Sequence, residues 1–256
     1  MKYQYLKYEV NGGIAVVTIN RPEQRNALSI DVMKEMINAF NTISADDDIK
    51  VAVLTGAGKV FAGGADLKEM VVMNPVEYIE FGELFNQMNL AIRENSKPVI
   101  AAVNGHAIGG GNVLMMSADI IIASEKAKLG LPEINLGIFG GAALLPSIIG
   151  RYKASELVLL GESYTTEYAK ELGIVNYVVA PEDVMSKAIE IASKIAEKSP
   201  IAVKMAKKVL IAGNLTDINS ASLYQLSLMS VLYSSHDQKE GMNAFLEGRA
   251  PEYNGK

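Results

Sequence analysis

Residues 4–20 alternate apolar and polar positions on either side of Asn11–Gly13, the pattern of a β-hairpin closed by an Asn-Gly-Gly turn. Beyond the polar stretch "NRPEQRNALSI" the apolar positions become Val32, Met36, Ala39 and Phe40. That is helical spacing, and Ser29 stands where a capping residue belongs. "KVAVLTGAG" is a short continuous apolar run, as expected of a buried parallel strand. The loop "GKVFAGGADLKEM" leads into a helix at about Asp66, and a second helix is predicted from Val76 to about Asn95. The strand "PVIAAVNG", the glycine stretch "GHAIGGGNVLMMSAD", the strand "ADIIIAS" and the segment "AKLGLPEINLGIFGGAALLP" follow. From Tyr152 onward the pattern predicts helices at about 153–160, 165–172, 181–198, 200–212 and 217–235, with a short strand near Val175 to Val179. Strand and helix alternate early, helices dominate late, and no repeat or low-complexity segment stands out. A single α/β domain with a helical C-terminal extension accounts for this order.

Composition adds mostly exclusions. The chain has 256 residues, 49% of them hydrophobic and 21% charged, enough for a large core. A formal charge of −5 argues against nucleic acid as a partner, because phosphate binding rewards clustered Lys and Arg. Without cysteine there is no disulfide, thiolate nucleophile or Cys-based metal site. The start "MKYQYLKYEVNGG" lacks the apolar core of a signal peptide, and runs such as "SELVLLG" are too short to span a bilayer. A cytoplasmic protein without a membrane partner is the expectation.

Two loops share a design. "AGGAD" (Ala62 to Asp66) and "IGGGN" (Ile108 to Asn112) each follow a strand and open a helix. Glycine lets a ligand approach the main chain, and helix starts present unpaired N–H groups at a positive dipole end. Two such ends converging make a pocket of two donors for a developing oxyanion; taken singly, each loop is equally well a tight turn. Nucleotide readings fail. "GAGKV" has Val60 where a phosphate-binding loop needs Ser or Thr, and "GHAIGGG" lacks dinucleotide glycine spacing.

The segments "NRPEQRNAL", "GKVFAGGADLKEM", "NGHAIGGGNVLMMSAD", "AKLGLPEINLGI" and "EGMNAFLEGRAPEY" occur in this order across essentially the whole chain. Together they resemble the crotonase family, the enoyl-CoA hydratase/isomerase superfamily. The resemblance implies an α/β fold: a crotonase-like spiral of ββα units over 1–198, with a helical C-terminal trimerisation region over 199–256 in the same structural unit. It implies homotrimers or homohexamers, an acyl-CoA thioester as ligand, and no cofactor beyond the coenzyme A carried by the substrate. The amides of Ala65 and Gly110 would form the oxyanion hole. Arg25, Ala27 and Leu28 would meet the adenine and pantetheine portions, and Lys68 the CoA phosphates or ribose. Ala62, Gly64, Asp66, Leu67, Gly109, Val113, Phe139 and Gly141 complete the implied substrate-binding set.

Hydratases of the family use two glutamates, one in the first turn after the triple glycine and one in the "PE" that follows. Here the first position is Val113 and the second is Glu133. Val113 moves no proton, whereas a lone carboxylate suffices to carry a proton between two carbons. The leading expectation is double-bond migration in an enoyl-CoA by Glu133, as in the single-glutamate isomerases. The alternatives are an enoyl-CoA or dienoyl-CoA hydratase of unusual substrate, and an acyl-CoA-binding relative without catalysis. A serine peptidase on the same fold lacks its nucleophile, because Ser117 lies more than a helical turn beyond the glycines. Asn112 and Asn135 are candidates to orient water or the carboxylate, or else to satisfy loop backbone. His106 reads as a hydrogen-bonded histidine in a buried turn, His236 as surface, and Leu114–Met116 as core packing. Where many relatives have "IPGAGGTQRL", this chain has "IFGGAALLP", so Phe139, Leu144 and Leu145 are expected to make the acyl end more apolar. Gly248 and Ala250 replace lysines frequent in relatives, leaving Arg249 as the cation there.

Overall fold

Strand pairing begins with the predicted hairpin. In the computed structural model, which describes residues 2–256, β1 (Leu6–Asn11) and β2 (Ile14–Ile19) are antiparallel about the Gly12–Gly13 turn, where both glycines have positive φ. Helix α1 (Ile30–Ala45) starts where expected, the Ser29 hydroxyl accepting from the Val32 amide. Then come β3 (Val51–Gly56), β4 (Val60–Ala62), the single-turn α2 (Leu67–Met70) and α3 (Pro75–Arg93), whose Asn74–Glu77 capping box fixes its start. The next unit is β5 (Val99–Val103), β6 (His106–Ile108) and α4 (Gly110–Met115). A third opens with β7 (Ile120–Ser124) and β8 (Lys128–Gly130), then a 3₁₀ turn at Pro132–Leu136, α5 (Leu145–Ile149) and α6 (Arg151–Leu160). The chain ends with β9 (Ser163–Thr165), α7 (Thr166–Glu171), β10 (Tyr177–Val179), α8 (Val184–Ala196), α9 (Pro200–Leu215), α10 (Ile218–Leu232) and α11 (His236–Glu247).

A repeat is therefore present in the structure although none shows in the sequence. Each long strand joins a six-stranded sheet of order β1-β2-β3-β5-β7-β10, parallel from β2 onward. Each short strand that follows joins a second sheet of order β4-β6-β8-β9. The ββα spiral is built from this alternation. Six elements lie beyond the predicted set: α5, α11 and the four short strands of the second sheet.

The long sheet is buried on both faces, which explains its unbroken apolar strands. Ala52, Leu54, Ala101, Val103 and Ile121 pack into the main core with α1 and α3. Their neighbours Val51, Val53, Ile100, Ala102 and Ile122 pack against Val184, Ala188 and Ile191 of α8. Helix α9 is tied down differently. The buried Lys207 ammonium donates to Asp119 Oδ2 at 2.7 Å and to the carbonyls of Lys97 (3.1 Å) and Ile92 (3.4 Å). Asp119 also accepts from the Val99 amide at 2.7 Å. Burial raises the Asp119 carboxyl and lowers the Lys207 ammonium, so desolvation opposes the charge on both while their mutual attraction sustains it. Among the described residues, no helix is long and apolar enough to cross a membrane.

Candidate active site

The two glycine turns meet. Gly64 and Gly109 hold φ of +100° and +56°, conformations that admit glycine with little strain. A methyl group on Gly110 would lie 3.3 Å from the Ala65 amide nitrogen, and one on Gly64 would lie 3.4 Å from the Gly110 nitrogen. The Ala65 and Gly110 amides are thus neighbours, and neither has a main-chain acceptor among the described residues. Leu28 steadies the first turn: its amide donates to the Gly64 carbonyl and its carbonyl accepts from Asp66. The second is fixed by Gly109 N–H donating to Gly130 and by Gly111 pressed against the Ala62 main chain.

Both turns open on a cavity of about 450 Å³. Glu133 enters it from the 3₁₀ turn, beginning at Pro132, whose fixed φ suits a first helical position. A methyl on Gly109 or Gly140 would come within 3.0 Å or 2.5 Å of Glu133 Oε1, so bare backbone on two sides makes room for this carboxylate. Its Oε2 is buried without a hydrogen-bond partner. Burial pushes the Glu133 carboxyl above its ordinary value, with only a backbone hydrogen bond pulling it down. Val113 lines the same cavity, so one carboxylate faces an apolar residue rather than a second acid. Among the described residues, no group of three or more His, Asp or Glu is placed to hold a metal ion.

The cavity gathers Gly64, Ala65, Leu67, Gly109, Gly110, Val113, Glu133, Phe139 and Gly141 from the expected set. The others fall outside it. Leu28 and Ala62 have fully buried side chains in the core. Asp66 is committed to capping α2 through the Lys68 amide and to Arg21 at 3.4 Å. Arg25 and Lys68 are exposed and Ala27 is half-buried, all three off the cavity wall. Of the residues expected to make the acyl end more apolar, Leu144 packs against the core and Leu145 is wholly inside it. Phe139 alone of the three lines the cavity.

The polar candidates are engaged elsewhere. Asn112 is buried and donates to the Tyr164 hydroxyl at 2.9 Å, and Asn135 donates to the Gly161 carbonyl. Burial of that phenol raises Tyr164 to about 12. His106 lies exposed on β6, not in a buried turn, its Nδ1 accepting from the Lys128 amide. His236 is exposed as expected but opens α11. Arg249 is paired with Glu240 and Glu247 at 2.6 Å.

One wall was missed from sequence. Tyr78, Phe81, Gly82 and Phe85 of α3 all line the cavity. Their spacing is that of one helix face and reads as core packing; the glycine within it was the available signal.

The chain matches the enoyl-CoA hydratase/isomerase family model over residues 9–256. It is 42% identical over 245 residues to the short-chain-enoyl-CoA hydratase of Clostridium acetobutylicum, covering 94% of each chain. It is 38% identical to the crotonyl-CoA hydratase of Syntrophomonas wolfei, covering 97% of each. The crystal structure of an enoyl-CoA hydratase from Bacillus anthracis superposes with a TM-score of 0.95 at 36% identity, over 99% of this chain and 100% of that one. Sequence and fold agree that this chain belongs to the enoyl-CoA hydratase/isomerase family, the crotonase superfamily.

Proposed function

We propose that the protein hydrates a 2-enoyl-CoA, with Glu133 as the only proton carrier. The observation that carries the reading is the Glu133 carboxylate: in the cavity, partly desolvated, with one oxygen unpartnered, beside two unpaired amides. Hydratase relatives at 38–42% identity favour hydration over the migration that Val113 alone suggests.

The steps close on one carboxylate. Glu133 takes a proton from water as the water oxygen bonds to C3 of the enoyl group. The displaced electron pair moves onto the thioester oxygen, where the Ala65 and Gly110 amides hold the enolate. One such donor is worth ~3 kcal/mol in the transition state. The protonated Glu133 then delivers its proton to C2, giving the 3-hydroxyacyl-CoA and restoring the carboxylate. Raised basicity suits both halves, since a base near the working pH both accepts and returns a proton readily.

A second reading rests on Val113. With no second acid to hold water, the same carboxylate would move a proton from C2 to C4 of a 3-enoyl-CoA. Crotonyl-CoA and 3-hexenoyl-CoA, given separately, divide the two. Steady formation of 3-hydroxybutyryl-CoA, lost in Glu133→Gln, is the expected result. Migration in the second substrate without hydration of the first replaces the reading, and turnover of neither overturns both. We also propose assembly into trimers or hexamers; exposed Leu223, Leu226, Phe245 and Leu246 on α10 and α11 support it. Sedimentation at micromolar concentration tests it, and a monomer would refute it.

A further inference from the structure

Helix α3 carries a glycine that the fold does not call for. Gly82 sits inside a 19-residue helix, where glycine weakens the helix relative to almost any other residue. Its φ is outside the left-handed region, and a methyl group built on it meets no atom within 4 Å. Neither a turn nor close packing explains it, in contrast to Gly111, whose bare Cα fits against the Ala62 main chain. What Gly82 faces is the cavity, on the same stripe as Tyr78 and Phe85.

That stripe has a direction. Phe85 stands at the thioester end, since a methyl on Gly110 would lie 3.0 Å from its ring. Tyr78 is seven residues earlier on the same helix, about 10 Å along its axis. Leu136, Ile138 and Phe139 line the same cavity. Tyr78, Leu136 and Phe139 are 48%, 60% and 72% exposed within the chain, an apolar mouth. No lining residue of the cavity is cationic, and the outer side of α3 bears exposed Glu77, Glu80 and Glu83. Coenzyme A phosphates, or a carboxylate at the end of the acyl group, would find no cation here to pair with; hydrocarbon needs none. The exposed cations Arg25 and Lys68 lie off this wall.

We propose that Gly82 is a specificity-determining position, kept bare so that an uncharged acyl chain longer than crotonyl runs along α3 from Phe85 over Gly82 towards Tyr78. This rests on the enoyl-CoA reading and names its substrate class: apolar 2-enoyl groups, with dicarboxylic acyl groups rejected.

Relative kcat/KM for crotonyl-CoA and trans-2-octenoyl-CoA is the direct test. The wild-type protein should use both, and Gly82→Leu should lower the octenoyl-to-crotonyl ratio at least tenfold. Leucine is the better helix former, so the unfolding temperature of that variant should equal or exceed the wild-type value. If it does not fold, Gly82→Ala carries the test with a fall of at least threefold. An unchanged ratio in a folded variant, or a wild-type protein that takes crotonyl-CoA and refuses octenoyl-CoA, overturns the proposal. Calorimetric binding of butyryl-CoA and octanoyl-CoA reads chain length without chemistry. Preference for octanoyl-CoA that Gly82→Leu abolishes, with no enoyl-CoA turned over, would keep this inference and defeat the proposed reaction.

Discussion

The turn at Gly63–Asp66 and the turn at Gly109–Asn112 present neighbouring amides, yet they are held in different ways. The first is tied from outside. Its main chain bonds to Arg25 and Leu28 of the loop ahead of α1, and Asp66 caps a helix of only four residues. The second is held from within. Gly109 bonds to β8, Gly111 sits on the main chain of β4, Asn112 reaches Tyr164, and no side chain caps the helix. One donor belongs to the core and the other to a strapped-on edge. Like geometry can rest on unlike support, and the two should fail differently when disturbed.

The largest effect expected is at the Glu133 carboxylate. Glu133→Gln should lower kcat by at least ~10²-fold, the usual worth of a positioned general base. Steady-state turnover of crotonyl-CoA checks this. The same group links activity to pH. Its folded pKa is raised, so the active carboxylate form appears only above the ordinary glutamate range, and kcat/KM should climb with pH through that higher value. Stability runs the other way. The native state keeps its proton longer than the unfolded chain, so Glu133 detracts from stability progressively as pH rises from the ordinary carboxylate range through the raised value. Thermal unfolding of wild type and Glu133→Gln across that window should show the variant gaining relative stability with pH.

Next in size is a test of the inner support. Gly111→Ala forces a methyl into the Ala62 carbonyl and should cost roughly 2–3 kcal/mol in urea unfolding, an overpacking penalty. Tyr164→Phe leaves the buried Asn112 amide without its partner and should cost ~1–2 kcal/mol. The outer support is the weaker lever. Asp66→Ala removes a cap worth about 1 kcal/mol and should loosen the Ala65 donor, lowering kcat for crotonyl-CoA with only a small fall in Tm. If Asp66→Ala proved as damaging to global stability as Gly111→Ala, the contrast between edge and core would be wrong.

What the sequence reveals follows the range of the forces involved. The Asn11–Gly13 hairpin, the Ser29 cap and the runs of β3, β5 and β7 are local or fully buried, and each is written in consecutive residues. The short strands β4, β6, β8 and β9 have three residues each, too few to display a period of two. Helix α11 hides because its first turn is polar and Phe245 and Leu246 face outward, leaving no buried stripe to read. At the site, the glycines point to two bare helix starts, while the family resemblance singles out Ala65, Gly110 and Glu133, three residues that line one cavity. Motif membership does not say where a side chain points: Leu28 and Ala62 stand in the motifs and in the core. Gly82 lies in no motif and on the wall.

The contact at Lys207 has a bearing on the far end of the molecule. An oily helix can slide on its bed, since greasy surfaces tolerate many alignments; an ammonium threaded among one carboxylate and two carbonyls does not. Helix α9 is keyed to a single azimuth on the sheet, and the apolar ridges of α10 and α11 that follow it inherit that heading. Orientation of this outer surface is therefore decided deep inside the domain, by one proton-rich atom.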